Sequence, residues 1–130
     1  MAGSTLTTRL PEWLEAEVRE EFAGRGEGPS EGLRRLVEEW WVLTHLPLIE
    51  YREGAGVKRP ALRGGPKVWA VIWIGRSYGE DIEGLKEHFG GLTDEQIHQA
   101  RAYYSLFPEP IDSHIRENER LERLHEEGLL

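Results

Sequence analysis

Leu6, Thr8 and Leu10 alternate with Thr5, Thr7 and Arg9 just ahead of Pro11, and this period of two predicts a short strand with one face to bury and one face free. Trp13, Leu14, Val18 and Phe22 then recur at helical spacing, and Pro11 suits a first helical turn, where its missing N–H would be unsatisfied anyway. Gly24, Gly26, Gly28 and Pro29 break the pattern. Ser30 is placed to cap a second helix carrying Leu33, Leu36, Val37, Trp40 and Trp41. No further strand is predicted near the first one. Its natural partner is the same strand of a second copy, paired antiparallel about a two-fold axis, which predicts a homodimer.

Beyond residue 45 the pattern changes. Gly54, Gly56, Pro60, Gly64, Gly65 and Pro66 predict a loop, and the continuous apolar run 68–74 fits either a strand or a helix by periodicity, with a short buried helix preferred. Ser77 and Glu80 have capping-box spacing ahead of a helix through about residue 88 with Ile82, Leu85 and Phe89 as its buried stripe, and Gly90 and Gly91 stop it. Thr93 and Gln96 repeat that spacing before another helix, which ends ahead of Pro108. Two capped helices across a glycine turn suggest a helix-turn-helix. A last charged helix over 111–124 carries an imperfect apolar stripe, Ile111, Ile115, Leu121 and Leu124, that suits partner binding.

Strand, helix, turn and helix between 5 and 41 resemble the ribbon-helix-helix family of dimeric DNA-binding repressors and antitoxins. That resemblance implies that Thr5, Thr7 and Arg9 read base edges in operator DNA and that the Ser30 region anchors a phosphate at a helix N-terminus. A second resemblance rests on Gly64-Gly65-Pro66-Lys67-Val68, Gly75-Arg76-Ser77, Leu92-Thr93-Asp94-Glu95-Gln96-Ile97 and Ala100-Arg101-Ala102-Tyr103-Tyr104. In that order they look like a bacterial domain-of-unknown-function family associated with antitoxins, a small helical unit often encoded beside a PIN-like ribonuclease. It implies such a toxin as a partner. The expected architecture is mainly α: a ribbon-helix-helix unit over 1–45, then a helix-turn-helix-like helical domain with a charged C-terminal helix over 46–130.

Charge complicates the DNA reading. Residues 1–41 hold five basic and nine acidic side chains, whereas 52–76 hold six basic residues against Glu53 alone, in a chain whose net charge is −8. DNA binders carry a basic footprint, so a dimeric protein-interaction module that binds no DNA is the alternative. With no cysteine, disulfides, thiol nucleophiles and thiolate metal sites are excluded. The five histidines never fall at the i, i+4 spacing of a helical metal pair, and the adjacent carboxylates Glu38-Glu39 and Glu126-Glu127 suit a solvated helix face. Gly24-Arg25-Gly26-Glu27-Gly28 lacks phosphate-loop spacing and suits a turn. No enzyme, metal or cofactor is expected. No signal-peptide pattern or membrane-length apolar run is present, so a cytoplasmic protein is expected.

Overall fold

The computed structural model describes residues 3–130, and they are mainly helical. Its elements are α1 (Glu12–Gly24), α2 (Pro29–His45), β1 (Ile49–Gly54), β2 (Val57–Leu62), α3 (Val68–Ser77), α4 (Ile82–Phe89), α5 (Asp94–Leu106) and α6 (Pro108–Glu126). The chain divides into two compact units, Met1–Glu39 and Trp40–Leu130, so the division falls inside α2 rather than after residue 45.

In the first unit the expected strand at the start of the chain is absent. The described residues ahead of α1 form no strand and leave Leu6 95% exposed. A strand exists only through ladder bonds to a neighbour, and a single chain offers this segment none. Helix α1 begins where Leu14 N and Glu15 N donate to the Pro11 carbonyl, and Glu12 and Glu15 place negative charge at its positive end. It ends in a Schellman turn: Glu27 N donates to Phe22 O and Gly26 N to Ala23 O, with Gly26 at φ 71°. Helix α2 then starts at Pro29, one residue before Ser30, so Ser30 sits inside the first turn instead of capping it. Phe22 is buried with its ring against the backbone of Gly32. Glu39, expected on a solvated face, is also buried, because Arg35 bonds it while gripping both oxygens of Glu27.

The second unit opens with a hairpin where a loop is expected. Ala55 (φ 53°) and Gly56 (φ 77°) make a two-residue turn with both φ positive, the geometry that matches strand twist. The register pairs Gly54 with Val57, Glu53 with Lys58, Arg52 with Arg59 and Tyr51 with Pro60. Counting alternately from the turn puts Pro60 at a non-hydrogen-bonded position, where its missing N–H breaks no ladder bond. Gly54 and Gly56 thus belong to the hairpin and its turn and Pro60 is a tolerated strand residue, whereas Gly64, Gly65 and Pro66 form the expected loop between β2 and α3.

Helix α3, the short buried helix preferred for the apolar run, is the centre of this unit and contacts α4, α5, α6 and β2. Val68, Val71, Leu85, Ile97, Ala100, Ile111 and Ile115 form the core around it with Ile49 and Leu62 from the hairpin. Ser77 and Glu80 do not cap α4, since α3 runs through Ser77. The cap is Asp81, which accepts from Glu83 N. The Thr93–Gln96 capping box is formed in both directions. Gln99 is buried and satisfied, accepting from Leu48 N and donating to Glu95.

Candidate functional site

The residues expected to read DNA lie on the segment ahead of α1. Thr5, Thr7 and Arg9 are all exposed there, and Ser30 is exposed in the first turn of α2 beside Glu31. Around them the surface is apolar to an unusual degree. Among the described residues, eight of the fourteen exposed large hydrophobics fall between Leu6 and Leu43, and Phe22 is the one buried hydrophobic of the first unit. On α2, Leu33, Leu36, Val37, Trp40 and Leu43 recur at spacings of three and four, so they share one helix face, and every one is exposed. Below that face the Glu27–Arg35–Glu39 cluster locks the turn. Hydrogen bonding to Glu27 raises the Arg35 pKa against the opposing effect of burial, which holds the guanidinium charged, and one of its nitrogens, Nη2, is buried with no acceptor.

The four residues expected to bind a partner through α6 separate into two sets. Ile111 and Ile115 are 2% and 1% exposed inside the core of their own chain, so they present no free surface. Leu121 is 41% exposed and Leu124 half-buried, one turn and more beyond the point where α6 leaves the core. Helix α6 starts at Pro108, with proline in its first turn where the missing N–H is tolerated, so Pro108 and Pro110 begin the helix rather than precede it. The apolar pattern alone cannot separate a stripe facing its own core from one facing another molecule.

Two clefts in the second unit join residues that no sequence motif links. In one, Tyr104 Oη donates to Asp112 Oδ1 at 2.7 Å and Arg76 Nη2 reaches the same oxygen at 3.0 Å. These two donors, the tyrosine first, hold the Asp112 carboxyl below the ordinary aspartate value of 3.8 despite some desolvation. The cleft of about 250 Å³ beside them is also lined by Arg101, which donates to the carbonyl of Glu80 at 2.6 Å. Glu80 itself sits at φ 65°, a strained conformation for a residue with a β-carbon. The other cleft lies between β2 and α6 around Arg59, Trp69 and His114. Tyr104 and Asp112 are eight residues apart on separate helices and Arg59 and His114 fifty-five apart, so their meeting depends on the tertiary fold.

Among the described residues no group of three or more His, Asp and Glu side chains could hold a metal ion, and no helix is long and apolar enough to cross a membrane. Comparison with family models, curated proteins and solved structures returned no match.

Proposed function

We propose that the chain is a homodimeric DNA-binding transcriptional regulator of antitoxin type that also neutralises a PIN-like ribonuclease toxin. One observation carries the reading: among the described residues the first unit buries one hydrophobic side chain, Phe22, while its Leu6, Leu10, Trp13, Leu33, Leu36 and Val37 are left open. So small a unit gains too little from its own core, and an apolar face of this extent marks an interaction surface. A second copy fits it best, because the unpaired segment 5–10 finds an antiparallel partner in itself and an isologous contact closes after two chains. Pairing through Leu6 and Leu10 leaves Thr5, Thr7 and Arg9 outward, which is the arrangement implied by the ribbon-helix-helix resemblance.

The test is light scattering combined with gel-shift titration against the chain's own promoter. A dimer is expected, and Arg9→Ala is expected to weaken operator binding by about 1–3 kcal/mol while leaving the dimer intact. Equal binding by wild type and variant would remove Arg9 from base reading. The acidic balance of the first unit favours one other reading, a dimeric interaction module without DNA, and an intact dimer with no operator affinity even at low salt would select it. The toxin arm rests on Leu121 and Leu124, since Ile111 and Ile115 are already occupied. Leu121→Glu combined with Leu124→Glu is expected to abolish neutralisation and spare operator binding.

A further inference from the structure

The groove between β2 and α6 is rich in hydrogen-bond donors. Arg59, Pro60, Trp69, Ile111 and His114 line a space of about 420 Å³. Arg59 Nη1 donates to Nδ1 of His114, so that ring nitrogen carries a lone pair and the imidazole is neutral in this arrangement. Burial and the nearby charges of Arg59 and Lys67 all push the His114 pKa below the ordinary histidine value. Trp69 meets the same ring edge-on at 4.6 Å, and its indole nitrogen is buried with no acceptor.

What is missing is a counterion. The chain holds 24 acidic residues against 16 lysines and arginines, and Arg52, Arg76, Arg116 and Arg120 of the same unit each pair with a carboxylate. Arg59 and Lys67 have none among the described residues. Glu117 at the rim of the groove is held by Arg120. An acid-rich protein that leaves two cations around a neutral imidazole has room for an incoming oxyanion.

We propose that this groove binds the phosphate of a nucleotide, with the phosphate against Arg59 and His114 in the field of the nearby Lys67 and the base against the Trp69 face. Phosphate oxygens supply the acceptors that this cluster of donors lacks, and an arginine hydrogen bond to an anion is among the stronger ones. The half-exposed Trp69 indole and the exposed Val57 give the groove an apolar wall against which a base can pack. A single carboxylate would leave that wall unused. Bound phosphate also reverses the local field: Arg59 turns its N–H groups from His114 Nδ1 to the phosphate oxygens, that nitrogen takes up a proton from solvent, and the imidazolium becomes a further cationic contact. The site lies in the second unit and does not depend on operator reading by the first.

The experiment is an NMR titration of the His114 ring in the full chain with inorganic phosphate, adenosine monophosphate or a short 5′-phosphorylated single strand, alongside Arg59→Gln, Lys67→Gln and Trp69→Phe. The titration midpoint of His114 is expected to rise on saturation, with the mononucleotide binding more tightly than phosphate. Each loss of a cation is expected to weaken the mononucleotide about tenfold at unchanged thermal stability. Both a tighter oligonucleotide and an oligonucleotide equal to the mononucleotide support the site, the first naming a nucleic-acid strand as its source and the second a free nucleotide. A His114 midpoint unmoved at millimolar mononucleotide overturns the proposal, as does equal affinity for phosphate and mononucleotide. Unchanged affinity in both cation variants overturns it as well.

Discussion

Replacing Gly32 by alanine tests the contact that closes the first unit. Near the start of a helix alanine normally outperforms glycine by about 0.5–1 kcal/mol, because glycine surrenders more backbone entropy. Here the added β-carbon would lie 2.4 Å from Cγ and Cδ1 and 2.5 Å from Cε1 of Phe22. Carbon atoms rest about 3.5–4.0 Å apart, so the ring must retreat by about 1 Å. Cγ is fixed directly to the β-carbon and moves only with χ1 or the backbone of α1, so turning the ring about its own axis gives no relief. Overpacking of this kind costs about 1–3 kcal/mol, which outweighs the propensity gain and predicts Gly32→Ala to be about 1–2 kcal/mol less stable. Urea unfolding followed by circular dichroism at one fixed protein concentration measures the difference. The same substitution placed in a Phe22→Ala background has no ring to meet and should stabilise, so the cycle changes sign. A Gly32→Ala protein more stable than wild type would refute the close approach and with it the seating of α2 on Phe22.

Val37→Glu, at a position 57% exposed in the single chain, should alter the folding of a monomer by no more than about 0.5 kcal/mol, yet should convert the dimer into monomer by light scattering; a persistent dimer would place the interface off this face of α2. Asp112 has a folded-state pKa depressed below its unfolded value, so its contribution is present above that unfolded value and is lost as pH falls through the folded one. Wild type should therefore exceed Asp112→Asn in stability by a constant margin near neutrality, and the margin should shrink below about pH 4; an equal margin at pH 7 and pH 2.5 would show that the carboxylate charge contributes nothing. Thr93→Ala removes the side-chain half of the α5 capping box and should destabilise by about 1 kcal/mol in denaturant titration, with a change under about 0.3 kcal/mol counting against the cap.

The helices were legible wherever apolar spacing and a local stop signal agreed. Glycines end α1 and α4, and Thr93 with Gln96 opens α5, because each of these signals acts over a few residues of backbone and needs no help from the rest of the chain. The hairpin failed for the opposite reason. Its turn consists of Ala55 and Gly56, and alanine is a rare choice at positive φ, so the pair lacks the Asn-Gly or Asp-Gly signal that marks such turns. Pro60 reinforced the loop reading, although a two-stranded hairpin has only edge strands and proline is tolerated there. Capping-box spacing at Ser77 and Glu80 misled in turn, because α3 was long enough to consume Ser77 and left Asp81 as the cap.

The segment 5–10 shows where a lone chain and its sequence part company. Alternation records which side chains would share a face once a ladder forms, but the ladder bonds have to come from another backbone. A pattern that requires a second molecule therefore forms no strand in one chain, and Leu6, Leu36 and Val37 are exposed in the single chain. The same logic explains why the candidate sites of the second unit were hidden. Ile111 and Ile115 have the spacing of a docking stripe whether the docked surface is α3 and α5 or another protein. Arg59 gives no sign in sequence that the residue it will meet is an imidazole fifty-five positions away. Periodicity specifies a face, and only the tertiary fold specifies what that face meets.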